Sequence, residues 1–159
     1  MYLTPLTIQD QKIFRQFLSL SEHELAAYAF ENIYIWKALF DIRWLIIKDC
    51  LCIFFRDKIG CFLYLPPLGR HVKVSVIDEA FSIMDGLNSH KEISRIENIE
   101  EKEFPFYQDL GYELRDKPRE YLCRRKDLTE LKGVKYKSKR ACVNYFSKHY
   151  DYECLDFDL

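Results

Sequence analysis

Residues 43–65 constrain the fold of this chain more than any other stretch. Three runs follow one another there, RWLIIKD (43–49), LCIFFRD (51–57) and GCFLYL (60–65), each rich in β-branched or aromatic residues. Charged or glycine-containing turns separate them, at Lys48–Asp49 and Arg56–Gly60. Strands so short and so tightly joined pair with their neighbours, and an antiparallel meander is expected. The middle run, Leu51 to Phe55, is apolar on both faces, so the sheet needs cover on both sides. Pro66–Pro67 closes the meander, because proline cannot continue a ladder.

The flanking sequence supplies that cover. Thr7 with Asp10 three residues on reads as a helix start, and Ile13, Phe14, Phe17 and Leu18 recur at helical spacing. A second helix is expected over 27–40, where Ala29, Ile33, Trp36 and Phe40 form one stripe. Ser75 with Asp78 opens a third, carrying Ile77, Phe81, Met84 and Leu87. SRIENI (94–99) then reads as a short strand and Glu100–Asp109 as a helix disturbed by Pro105. YELR (112–115) and EYLCRR (120–125) read as a closing strand pair across Lys117–Pro118. Asp127 and Gly133 bracket one helical turn as N-cap and stop. A helix of about four turns runs on to Tyr150, and YECLDF (152–157) is a further strand.

These elements make an α/β chain of the α+β kind, a mixed sheet flanked by helices. Their order, α-α, β-β-β, α, β, α, β-β, resembles the GNAT (acyl-CoA N-acyltransferase-like) fold without a strand before the first helix. Residues 1–131 are expected to form that domain, and 132–159 an added basic linker helix and terminal strand.

Composition narrows the setting. The 159 residues suit one such domain, and 16% aromatic content is too high for a disordered tail. Twenty-four Lys and Arg against 25 Asp and Glu leave a net charge of -1, so any basic patch must be local. Met1 to Leu6 lacks the features of a signal peptide. The most apolar stretch, 42–67, is broken by charges at Arg43, Lys48, Asp49, Arg56, Asp57 and Lys58, so no transmembrane segment is expected and the cytoplasm is the default. Cys50, Cys52, Cys61, Cys123, Cys142 and Cys154 sit mostly in apolar runs and read as core thiols. No pair has zinc-knuckle spacing and the histidines are scattered, so no metal site is expected.

A more specific resemblance lies at residues 120–146, EYLCRRKDLTELKGVKYKSKRACVNYF. Tyr121, Asp127, Leu128, Leu131, Lys132, Gly133, Tyr136, Lys139, Arg140, Asn144 and Phe146 stand where a bacterial family of unknown function has its recurring pattern. That family is related to the C-terminal catalytic region of phosphatidylglycerol lysyltransferase. AFENIYIWKALFDIRW and LPPLG (Pro66, Pro67, Gly69) resemble its other two segments. Arg119–Glu120 departs from the acidic pair that often precedes the tyrosine. Members carry two GNAT-like halves in tandem, and this sequence resembles the first half, leading toward a second. The resemblance implies aminoacyl-tRNA as the donor class.

Candidate chemistry falls in two places. A GNAT phosphate loop holds the pyrophosphate of coenzyme A on glycine-rich amides at a helix start. At the matching place PPLGRHVKV offers Gly69, with Arg70, His71 and Lys73 as cations, but two prolines remove donors. Acyl-coenzyme A is therefore not the expected cofactor, and no cofactor is expected in its place. The second place is Lys132, Gly133, Lys135, Lys137, Lys139 and Arg140, which crowd a helix start where the macrodipole disfavours cations. They suit a phosphate-bearing ligand such as aminoacyl-tRNA, a cofactor or a lipid headgroup, or else form a solvated lysine face between two domains. The stripe Tyr136, Val143, Phe146 and Tyr150 is expected to dock this helix.

No catalytic residue is named. Asp78–Glu79 serve a helix start, Glu100, Glu101 and Glu103 read as a solvated face, and Ser19 and Ser21 near His23 lack the glycines of a nucleophile elbow. The leading reading is a GNAT-like half without a complete active site, assisting a second half to bind an acyl or aminoacyl donor. A stand-alone acyl-CoA-dependent N-acyltransferase and a homodimeric interaction module are the alternatives. A homodimer is expected to cover Phe104, Phe106, Tyr107, Tyr145 and Tyr152 where no second half does.

Overall fold

The three apolar runs form the expected meander. In the computed structural model, which describes residues 2–118, 123–153 and 155, β2 (Asp41–Ile47), β3 (Cys50–Arg56) and β4 (Cys61–Leu63) pair antiparallel in that order. Lys48 and Asp49 join β2 to β3 with φ of 45° and 66°, the left-handed pair that a two-residue hairpin requires. Asp57 Oδ1 accepts from the amides of Ile59 (2.8 Å) and Gly60 (3.0 Å) and sets the second turn. A fourth strand that the sequence reading lacks, β1 (Thr4–Pro5), pairs with β2 through Thr4↔Trp44. Two residues around a proline carry too little pattern to be read as a strand.

The chain forms two compact units, Met1–Pro118 and Arg119–Leu159. In the first, β3 is buried from Cys50 to Phe55. Leu51, Ile53 and Phe55 pack with Phe14 of α1 (Gln11–Leu18) and with Phe30 and Ile33 of α2 (Phe30–Ile35). On the other face Cys50, Cys52 and Phe54 pack with Val76, Ala80 and Met84 of α3 (Val74–Leu87). Alternation along one strand thus builds two cores, one on each side. Cys50, Cys52 and Cys61 are core thiols as expected, and burial pushes the Cys61 thiol up to about 11. Cys123 and Cys142 are exposed instead, and Cys154 lies outside the described residues.

Several local expectations change. The helix expected over 27–40 is three pieces, a 3-10 turn at Ala26–Tyr28, α2, and a 3-10 turn at Trp36–Ala38. Ala29 between the first two is extended, and Asn32 Nδ2 donates to the Ala26 carbonyl (2.6 Å). The Thr7–Asp10 signal is present, with the Thr7 amide 2.7 Å from Asp10 Oδ2, but it opens a 3-10 turn that runs into α1. Pro105 sits in the first turn of α4 (Phe104–Asp109), where its missing N–H costs nothing, so it does not disturb the helix.

The sheet is antiparallel rather than mixed. Residues 94–99 contribute one parallel bridge, Leu63↔Ile96, with Leu63 N donating to Arg95 O (3.0 Å) and Glu97 N to Leu63 O (2.9 Å). Tyr112 to Arg115 carry no strand; of their expected partner run, 120–125, residues 120–122 lie outside the described residues, Cys123 and Arg124 are in no strand, and Arg125 is helical.

In the second unit α5 (Arg125–Glu130) begins before Asp127, which sits inside it rather than capping it. Leu131 (φ 46°) and Gly133 (φ 88°) turn the chain into a 3-10 turn, Val134–Tyr136, and then α6 (Lys137–His149). Of the expected docking stripe, Tyr136 is buried, whereas Val143, Phe146 and Tyr150 are 52%, 48% and 55% exposed. Of the expected terminal strand, Tyr152 and Glu153 are in no strand, while 154 and 156–157 lie outside the described residues.

Candidate functional site

The loop proposed for pyrophosphate is built around β3. Leu68 exchanges two hydrogen bonds with Leu51 (2.8 and 2.9 Å), which lays the next residue against the hairpin turn. A side chain on Gly69 would place its Cβ 2.6 Å from Cys50 Sγ and 3.2 Å from the Asp49 carbonyl. The glycine therefore answers a packing demand from the sheet itself. Arg70, His71 and Lys73 are exposed, and Lys73 immediately precedes α3.

The basic segment divides by the partners its side chains hold. Arg140 Nη1 donates to the carbonyls of Leu131 and Gly133 (2.8 Å to the latter), which ties the start of α6 to the turn before it. Lys132 pairs with Glu130 (2.9 Å). Lys135 pairs with Asp127 (3.4 Å) and lies over the Tyr136 ring at 4.8 Å. These neighbours raise the Lys135 pKa, first through the Asp127 hydrogen bond. Lys137 and Lys139 are exposed and hold no ion pair among the described residues. Of the six expected residues, Lys137 and Lys139 are the ones whose side chains remain open to a ligand, while the Gly133 carbonyl is taken by Arg140 and the Tyr136 amide.

The aromatic surface expected at a dimer face also divides. Tyr107 belongs to the core at 2% exposed, whereas Phe106, Tyr145 and Tyr152 are exposed.

The sequence reading missed a third place. Glu100, taken for part of a solvated face, is the buried charged residue of the described chain, 7% exposed. Its Oε1 accepts from the amides of Glu24 (2.6 Å) and Leu25 (3.3 Å), and its Oε2 from Lys102 (2.7 Å) and His23 Nδ1 (3.3 Å). Burial alone would raise its pKa. Lys102, the two amides and His23 outweigh that and hold it at about 2. On the far edge of the imidazole, Nε2 lies 3.0 Å from Ser21 Oγ. Nearby Glu103 behaves oppositely. Burial pushes its carboxyl up, the Glu100 charge adds to that, and its Oε2 is buried without a hydrogen-bond partner among the described residues. No short-range signal joins Glu100 to residues 21–25, because the pairing spans the whole meander.

With the geometry described, likeness to other proteins can be set beside it. A crystal structure of a conserved protein of unknown function from Bacteroides thetaiotaomicron VPI-5482 superposes with a TM-score of 0.76 at 22% identity. The superposition covers 93% of this chain and 50% of that one, so this chain spans about half the length of its solved relative. No curated protein matches it. No helix among the described residues is long and apolar enough to cross a membrane. Residues 19–159 match the family model described as phosphatidylglycerol lysyltransferase, C-terminal, and the chain belongs to that family.

Proposed function

We propose that this chain is one GNAT-like half of a lysyltransferase-related protein of the cytoplasm, which helps to bind an acyl or aminoacyl donor and lacks a complete transferase site of its own. The observation that carries the reading is the half-length correspondence: nearly all of this chain superposes on half of its solved relative. The GNAT part rests on the resemblance in element order, extended by two features of the structure. A first strand precedes the first helix, and residues 95–97 run parallel to β4 at Leu63↔Ile96. In the GNAT fold the sheet splays at that place.

The chain's own groups occupy the edge of β4 just beyond the bridge. Asn98 Nδ2 donates to the Tyr64 carbonyl (2.8 Å), and the Asn98 carbonyl accepts from the Tyr28 hydroxyl (3.0 Å). With two prolines in the loop before α3, this favours a half that does not hold coenzyme A. A phosphate-bearing donor such as aminoacyl-tRNA is assigned to the start of α6, with Lys137, Lys139 and the backbone after Gly133 as contacts and Lys132, Lys135 and Arg140 shaping the turn. The surface the half leaves uncovered is assigned to a second GNAT-like half or a second copy.

Filter binding of tRNA across a salt series tests the donor site. Replacing Lys137 and Lys139 together by alanine is expected to weaken binding and to lower the salt slope by about two, one for each lost phosphate contact. Arg140→Ala is expected to loosen the helix start and leave the slope unchanged. An unchanged slope in the double variant would exclude these lysines as phosphate contacts.

A further inference from the structure

Ser21, His23 and Glu100 form an array in which each group fixes the hydrogen of the next. Glu100 is ringed by two amides and an ammonium, so it is an ionised acceptor. His23 Nδ1, 3.3 Å from its Oε2, therefore carries a hydrogen. The lone pair of Nε2 then points the other way, toward Ser21 Oγ at 3.0 Å. The ring is held by stacking on Tyr28, with centroids 3.9 Å apart and planes 16° from parallel. The His23 side chain is only 12% exposed, while Ser21 is exposed. The base is screened from water and the hydroxyl it serves faces out.

Anchoring of the loop does not account for this arrangement. Glu100 already holds Glu24 and Leu25 through Oε1, and His23 is bound through the other oxygen. Other serine hydroxyls have different partners. Ser19 donates to the Gln16 carbonyl, Ser94 to the Asp85 carboxylate, and Ser147 meets the Tyr152 hydroxyl. Of these four, Ser21 is the one set against an imidazole.

We propose that Ser21 is a nucleophile, with His23 as its general base and Glu100 as the positioning residue for that base, which accepts an acyl group from activated acyl esters. In the step, Ser21 Oγ bonds to the ester carbonyl carbon as its proton passes to His23 Nε2. The bond from that carbon to the leaving oxygen then breaks, and the leaving oxygen takes the proton from the imidazolium. An acyl ester on Ser21 remains, with the imidazole neutral again. The same relay run with water as attacking group releases the acid. Without a nucleophile elbow, the array's own contribution is proton transfer, about 100-fold to 10,000-fold. The proposal goes beyond the donor-binding reading and uses no residue after Lys102.

Labelling of the full chain tests it, with a fluorophosphonate as one probe and p-nitrophenyl acetate as the other. Adducts are located by peptide mass spectrometry, and the melting temperature of each variant is measured alongside. The expected result is an adduct on Ser21 that Ser21→Ala abolishes and His23→Gln slows about 100-fold. Two results would overturn the proposal: no adduct on Ser21, or equal rates with and without His23. Should His23→Gln fail to fold, the place of the adduct in the unaltered chain decides: on Ser21 it supports the proposal, and on another residue or on none it overturns it.

Discussion

The sandwich of Met1–Pro118 and the long helix of Arg119–Leu159 bury their apolar residues to opposite extents. In the first, β3 is closed over on both faces by helices that the same sequence supplies before and after it. In the second, α6 has an apolar stripe at helical spacing and no buried residue. A pattern in sequence states which side needs a partner. It does not say whether the partner lies in the same chain. The first unit contains its partners, and an isolated helix the length of α6 is marginal in water on its own propensity. Arg140, stacking of Phe146 on Tyr150 (5.1 Å), and the Tyr145–His149 pair (4.1 Å) supply local support.

The contrast is broken or sharpened most strongly by large-to-small substitution in each unit. Phe55 is 1% exposed and stacks on Tyr64 with centroids 4.2 Å apart. Phe55→Ala is expected to lower unfolding stability by about 3–5 kcal/mol. Phe146→Ala, at a half-exposed position, is expected to change it by no more than about 0.5 kcal/mol. Denaturant unfolding of both variants checks this, and a large loss at Phe146 would mean that the stripe is packed after all.

Acid titration probes the first unit from its polar side. The Glu100 carboxyl is held at about 2 in the fold, below its ordinary value. A depressed carboxylate contributes stability above its unfolded pKa and loses it as pH falls through the folded value. That loss is expected between about pH 5 and pH 2, and amounts to roughly 3 kcal/mol for a shift of this size. Glu103 works with the opposite sign. Its raised carboxyl favours the protonated fold, so its ionisation costs stability as pH rises, and acidification recovers that part. Melting temperatures across this range should therefore fall more steeply for Glu103→Gln than for the unaltered chain, and Glu103→Gln should be the more stable at neutral pH. A flat acid profile in both would remove Glu100 as an anchor.

Much of this was legible before any coordinates. The meander, its two turns and the two-sided character of β3 follow from alternation and from Lys48–Asp49 and Arg56–Gly60. The break at Ala29 was not legible, since Asn32 competes for a carbonyl that a continuous helix would use. Nor was the role of Glu100. An acidic run reads as solvated until a distant loop brings amides to it, and the nearest of those residues, Leu25, is 75 positions away. At the basic segment the charges were legible but their partners were not. Arg140 turns back to the carbonyls of Leu131 and Gly133 on either side of the turn, a contact between positions 131, 133 and 140 that charge alone does not announce.

The central claim, a half-domain without a coenzyme A site, is tested most directly by titration calorimetry of acyl-coenzyme A into the chain. The prolines before Gly69, the packing of Gly69 on Cys50 and the Asn98 contacts on Tyr64 all argue for the same result. No binding tighter than about 1 mM, or about -4 kcal/mol, is expected. A micromolar dissociation constant would contradict the half-site reading and favour an independent acyltransferase.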